Sequence, residues 1–202
     1  MLSLEVIDEP LAAAAALNPV RNRLLTQLHE PASAADLAIR LEIPRQKINY
    51  HLRALESLGL VSVASTHRWG GLTERLMVAK AASFVVSPNA LGPLASDPAR
   101  EADRLSARYL IALAARIIRE IGALLRGARE AKKDLATLSV DTVIRFRSAR
   151  DRAAFTAELM ESINRLVAKY HDEAAVGGRS HRLLLFAHPL PNGETKEKTP
   201  CP

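Results

Sequence analysis

The stretch "PRQKINYHLRALESLGLV", residues 44–61, decides how the first half of the chain is read. Ile48, Leu52, Leu55 and Leu58 recur at steps of four, three and three, the spacing of one helix face. Gly59 follows directly, where a left-handed residue ends a helix. The remaining side of this helix, read as 44–58, carries Arg45, Gln46, Lys47, Asn49, Tyr50 and Arg53. A leucine ladder therefore supports a dense head of hydrogen-bonding side chains, and that head needs a purpose.

Upstream lies "SAADLAIRLEI", residues 33–43. Ser33 and Asp36 have the spacing of a capping box, in which each side chain takes the other residue's backbone N–H. Only "LEIP" separates this helix from the next, and two helices joined by so short a turn read as a helix-turn-helix. Before it, Asn18-Pro19 opens a helix with Val20, Leu24, Leu25 and Leu28 on one face, and Glu9-Pro10 opens a shorter alanine-rich one. Downstream, "LVSVAST" (60–66) and, more loosely, "RLMVAKA" (75–81) alternate like strands, with Gly70-Gly71 between them as a turn. The order helix, turn, helix, hairpin predicts a winged helix over residues 1–86, with its wing at 61–81.

The polar head suits the major groove. Arg45 has the fork that takes guanine O6 and N7, and Gln46 and Asn49 have the amides that pair with adenine; a good bidentate contact discriminates by about 1–3 kcal/mol. Lys47 and Arg53 are expected on phosphates, which fix register without reading sequence. Recognition residues gather at a helix start because that end enters the groove. Residues 18–86 hold nine Lys or Arg against five acids, a surplus of +4. On the wing, His67, Arg68, Trp69 and Arg75 are candidates for the backbone or minor groove, although Trp69 suits a core or hinge equally well.

These residues carry a resemblance. "NYHLRALESLGLV", with the capped helix before it, resembles the winged-helix transcriptional regulators of the ArsR type over about residues 15–85, with Asn49 where the family has serine. The resemblance implies a homodimeric DNA-binding regulator, usually a repressor although nothing in the residues excludes activation, and His51 falls on the family's histidine and reads as a helix-core or phosphate-contacting residue. Metal-sensing members carry a Cys-x-Cys near the first helix of the motif or Asp/His pairs on the dimer helix. Here "ADLAIRL" has no cysteine and residues 97–133 have no histidine, so no metal is expected.

The second half changes character. "SPNALGPLASDP" (87–98) reads as a linker, after which Asp97-Pro98 is expected to cap one long helix to about Lys133, roughly 50 Å at 1.5 Å per residue. Leu105, Tyr109, Leu113, Ile117, Ile121 and Leu124 form a stripe too long for one small domain to cover, which predicts pairing with a second copy. Residues 135–190 then read as a β-α-β layer. A strand at Val140–Phe146 precedes a helix opened by Ser148 and Asp151, with Phe155, Leu159, Ile163, Leu166 and Tyr170 inside, and a strand at Arg182–His188 follows. Two strands are marginal alone, so a third is expected from "LSLEVI" at the N-terminus or from the partner chain. The layer is either dimer reinforcement or a sensor for a small-molecule effector. Residues 191–202 read as a disordered tail.

The fold class expected is thus α+β, mainly α: an N-terminal winged helix-turn-helix, a long dimerisation helix and a C-terminal β-α-β layer. Composition is that of an ordinary globular chain, 48% hydrophobic and 25% charged, with a net charge of +6 that favours anionic partners. A single cysteine, Cys201, excludes an intrachain disulfide. The apolar start carries Glu5, Asp8 and Glu9 where a secretory leader would be positive, and no run reaches the roughly 18 apolar residues of a membrane span, so a cytoplasmic protein without a membrane partner is expected. No phosphate-binding glycine loop, G-x-S-x-G or H-E-x-x-H is present, so neither enzyme activity nor a cofactor is expected. The expected partners are double-stranded DNA and a second copy; the competing class is a winged-helix scaffold for protein interaction.

Overall fold

Local capping signals set the helices of the first half. In this computed structural model, which describes residues 1–69 and 72–191, the Asn18 side chain accepts from the amides of Val20 and Arg21 and opens α2 (Pro19–Gln27). Glu9, the other expected cap, makes no side-chain cap bond before α1 (Pro10–Leu17). The capping box at α3 (Ala34–Leu41) is complete: the Asp36 amide donates to Ser33 Oγ at 3.2 Å, and the Ser33 amide donates to the Asp36 carboxylate at 3.1 Å. Glu42, in the left-handed region, and Ile43 turn the chain into Pro44, and α4 runs over Arg45–Ser57. Gly59, at φ +68°, ends it, with its own amide on the Glu56 carbonyl and the Leu60 amide on Leu55. That paired bonding caps the orphan carbonyls of the last turn.

The core gathers where these helices meet. Leu24, Leu28, Leu37, Ile48 and Leu55 are fully buried, with Ala12, Ala13, Ala15 and Ala16 of α1 packed beside them. Burying each such Leu or Ile stabilises by about 1.5–3 kcal/mol.

The hairpin after α4 is longer than expected: β2 (Val61–Trp69) pairs antiparallel with β3 (Leu72–Ala79), and the strands absorb most of what reads as its loop. Gly70-Gly71, the expected turn, lies outside the described residues. The hairpin's root is tied to the helices by main chain, with Ala32 and Met77 exchanging both bonds and the Ala79 amide donating to Leu28.

β1 (Leu2–Ile7) does not join the C-terminal half as expected. It pairs in parallel with β4 (Ala81–Val86), a strand directly after the hairpin. α5 (Ala107–Glu130) lies on β1. A Cβ on Gly122 would stand 2.9 Å from Val6 Cβ, so this close approach requires glycine. Buried Glu5 receives Lys80 at 3.3 Å and Arg129 at 3.0 Å, and Arg126 meets Asp8 at 2.7 Å. These pairs clamp α5 to the first strand.

The single long helix from Asp97 is not formed. Asp97 caps only the three-residue 3-10 turn Pro98–Arg100, and the chain is extended again at Glu101. Ser106 is the true cap, accepting from Tyr109, so α5 is 24 residues long, about 36 Å.

The chain divides into two compact units, Met1–Leu135 and Ala136–Pro202. In the second, α6 (Ala149–Tyr170) is capped by Ser148, but Asp151 faces Arg147 at 3.7 Å rather than completing a box. The expected β-α-β layer is corrected to a lone helix, because residues 140–146 and 182–188 form no strand. Their alternation survives, but a strand needs a backbone ladder, and neither segment forms one. Phe146 still reaches α6, its ring 5.4 Å from that of Phe155. No residue of α6 is buried. The expected tail falls almost entirely on residues 192–202, which lie outside the described residues.

Candidate nucleic-acid interface

α4 stands on Ile48, His51, Leu52 and Leu55, all buried. That footing turns Arg45, Gln46, Tyr50 and Arg53 to the surface with Asn49 half-buried among them, and these five line one open groove together with Ala54 and Ser57. Ser57 was not among the expected contacts; its signal was its position one turn beyond Arg53. Lys47 is exposed on another side of α4, near His51 and Arg21 of α2.

His51 is 8% exposed, and both ring nitrogens are buried without a hydrogen-bond partner. Burial pushes its pKa below the ordinary histidine value, with the charges of Arg21 and Lys47 adding to the effect. A neutral imidazole packed edge-on against Tyr50, ring centroids 5.2 Å apart, is a core residue of the helix and supports its polar face from beneath.

On the hairpin, one irregularity sorts the expected contacts. The register shifts between Val63 and Ser65, so β2 carries one extra residue there. Such a bulge twists the strand and exchanges its faces. Beyond it, Thr66 pairs with Arg75 and Arg68 with Thr73, placing Arg68 and Arg75 on the face that continues from Met77 and Ala79. His67 pairs with Glu74 on the opposite face, and its ring lies 3.3 Å from the Ser65 hydroxyl. Trp69 pairs with Leu72 at the strand end, and its side chain lies outside what the structure describes. The four expected hairpin residues are therefore not one cluster.

Arg75 also differs from the other cations. Its guanidinium is ion-paired with Glu56 of α4 across a cleft lined by Arg45, Asn49, Arg53, Thr73 and Met77. Among the described residues, Arg45, Lys47, Arg53 and Arg68 have no carboxylate partner. Glu56 went unremarked in the sequence because an acid on a surface helix turn is ordinary; only the fold brings β3 to it.

The α5 stripe is partly rearranged. Leu105 precedes the cap of α5 and is 97% exposed, its amide bonded to Asp103, so it does not share the helix face. Tyr109, Leu113, Ile117 and Ile121 are half-buried, and Leu124 is 51% exposed. At 3.6 residues per turn these five lie on the side of α5 away from Gly122 and Arg126, which face β1. Within the first unit, α5 thus turns Gly122 and Arg126 to β1 and keeps these five residues off that contact.

Among the described residues no helix is long and apolar enough to cross a membrane. No curated protein matches the chain. Residues 16–64, which carry α2, α3, α4 and the start of β2, match a helix-turn-helix domain family found in ArsR-type and related regulators.

Proposed function

We propose that this chain is a sequence-specific transcriptional regulator of the ArsR type, with α4 in the major groove and the β2–β3 hairpin as a wing on the backbone or minor groove. The observation that carries this reading is the exposed groove of Arg45, Gln46, Asn49, Tyr50 and Arg53 on a helix whose other side is fully buried. The helix-turn-helix match over 16–64 supports DNA as the partner. The apolar side of α5, Tyr109, Leu113, Ile117, Ile121 and Leu124, supports a homodimer. Two copies of α4 about 34 Å apart would then meet an inverted repeat, and occupancy of a promoter would repress it.

Selection of bound fragments from a random DNA pool tests this, with wild type beside Gln46→Ala/Asn49→Ala. The expected result is an enriched inverted repeat that the variant, folded as wild type by circular dichroism, does not recover. Retention of DNA only at low salt and without a consensus would refute sequence reading, and would leave phosphate neutralisation or a scaffold role.

A further inference from the structure

Among the described residues, main-chain bonds anchor the hairpin to the helices only at its root, through Met77 to Ala32 and Ala79 to Leu28. Arg75 is the next residue on that same face, two positions further out, and it meets Glu56 in the last turns of α4. Past Met77 this is the only ion pair between the hairpin and the helices among the described residues. The bulge beside Val63 bends β2 just where the root anchors end. Hence the outer hairpin, which carries Arg68, meets α4 across the cleft with this pair as its charged tie.

We infer that Glu56 is a positioning residue: through Arg75 it sets the angle between the recognition helix and the wing, and Arg75 acts as a latch rather than as a phosphate contact. Glu56 neutralises Arg75 inside the cleft, while Arg45, Arg53 and Arg68 keep unpaired charge for an anionic partner. An exposed pair, with side chains 33% and 44% accessible, contributes little to global stability. Its value lies in geometry, since a wing that swings freely reaches the backbone in no fixed register. The latch itself is a property of the free protein; its consequence for binding rests on the DNA-reading function proposed above.

Two readouts test it on the full chain. Nitroxides at Thr26→Cys and His67→Cys, in a Cys201→Ser background, report the α2-to-wing distance distribution by pulsed electron resonance. Glu56→Gln and Arg75→Gln should each broaden it, the charge-swapped pair Glu56→Arg/Arg75→Glu should narrow it again, and Glu74→Gln should leave it unchanged. Unchanged distributions in both single variants would overturn the latch. On the selected operator, Arg75→Gln should leave the slope of log K against log salt as in wild type; a slope shallower by about 0.9 would make Arg75 a direct phosphate contact and refute the inference. If no operator is selected, the functional reading fails, while the distance measurement still decides the latch.

Discussion

Replacing Ser33 by alanine tests the physical account of the helix-turn-helix most directly. Ser33 is 2% exposed; its hydroxyl accepts from the Asp36 amide and donates to the Asp36 carboxylate at 2.8 Å. The substitution strands the Asp36 amide and leaves the carboxylate with the Ser33 amide as its bond at the cap. Losing such a cap costs about 1 kcal/mol, within a range of roughly 0.5–2. Asp36→Ala removes the reciprocal half and should cost about as much. Because the two side chains act on one another, the double variant should cost little more than the worse single one, a coupling of about 1 kcal/mol. Urea unfolding followed by far-ultraviolet circular dichroism at pH 7 measures all four proteins, with an unchanged urea slope required for the comparison. The acid limb gives a second reading. The Ser33 hydroxyl, then the Ser33 amide, hold the Asp36 carboxyl below its ordinary value of 3.8. A lowered folded pKa contributes stability that is present above 3.8 and lost as pH falls through the folded value. Ser33→Ala should therefore show a weaker loss in that window than wild type. Additive costs in the cycle, or identical acid limbs, would refute the reasoning.

Three further outcomes follow from the same contacts. His51 has a folded pKa below 6.5, so wild type should lose stability as pH falls from 6.5 toward that lowered value, the unfolded chain taking the proton first; His51→Leu should flatten this limb in urea titrations at several pH values. Gly122→Val should destabilise by about 1–3 kcal/mol through overpacking against Val6 and speed amide exchange in α5, whereas Gly127→Ala, with open space around it, should stabilise by about 0.5–1 kcal/mol. Gly59→Ala should cost about 1–2 kcal/mol in the same unfolding assay, since its φ of +68° is strained for any side chain even with nothing near to clash.

What was legible in the sequence was what is decided within a few residues. Ser33 with Asp36, Asn18 before Pro19, and Gly59 after the leucine ladder each satisfy backbone groups of their own helix end, so α2, α3 and α4 lie where expected. The polar face of α4 follows from the ladder beneath it for the same reason. What was hidden depends on distant partners. "LSLEVI" reads as a strand, but nothing in it names β4 as its neighbour. Asp97 before Pro98 reads as the cap of the long helix, and only the extended backbone at Glu101 shows that α5 opens at Ser106 instead. Alternation at 140–146 and 182–188 reports which side chains would share a face, not whether a ladder exists. The extra residue beside Val63 reversed the faces of β2 and put Arg68 rather than His67 on the side of Arg75, and the Glu56–Arg75 pair needed the folded hairpin to become visible.

The parallel pairing of β1 with β4 bears on how the protein reaches its native state. Leu2 stands opposite Ala81, so this short sheet closes a loop containing every residue of α1, α2, α3, α4 and the hairpin. Closing a loop of that length carries an entropic cost that local helix formation does not, and contacts so far apart in sequence slow folding. The helix-turn-helix core consequently has the means to assemble first, while the β1–β4 clasp, with α5 clamped over it through Glu5 and Asp8, closes last. The first strand of the chain is thus expected to be among the last elements to find its place.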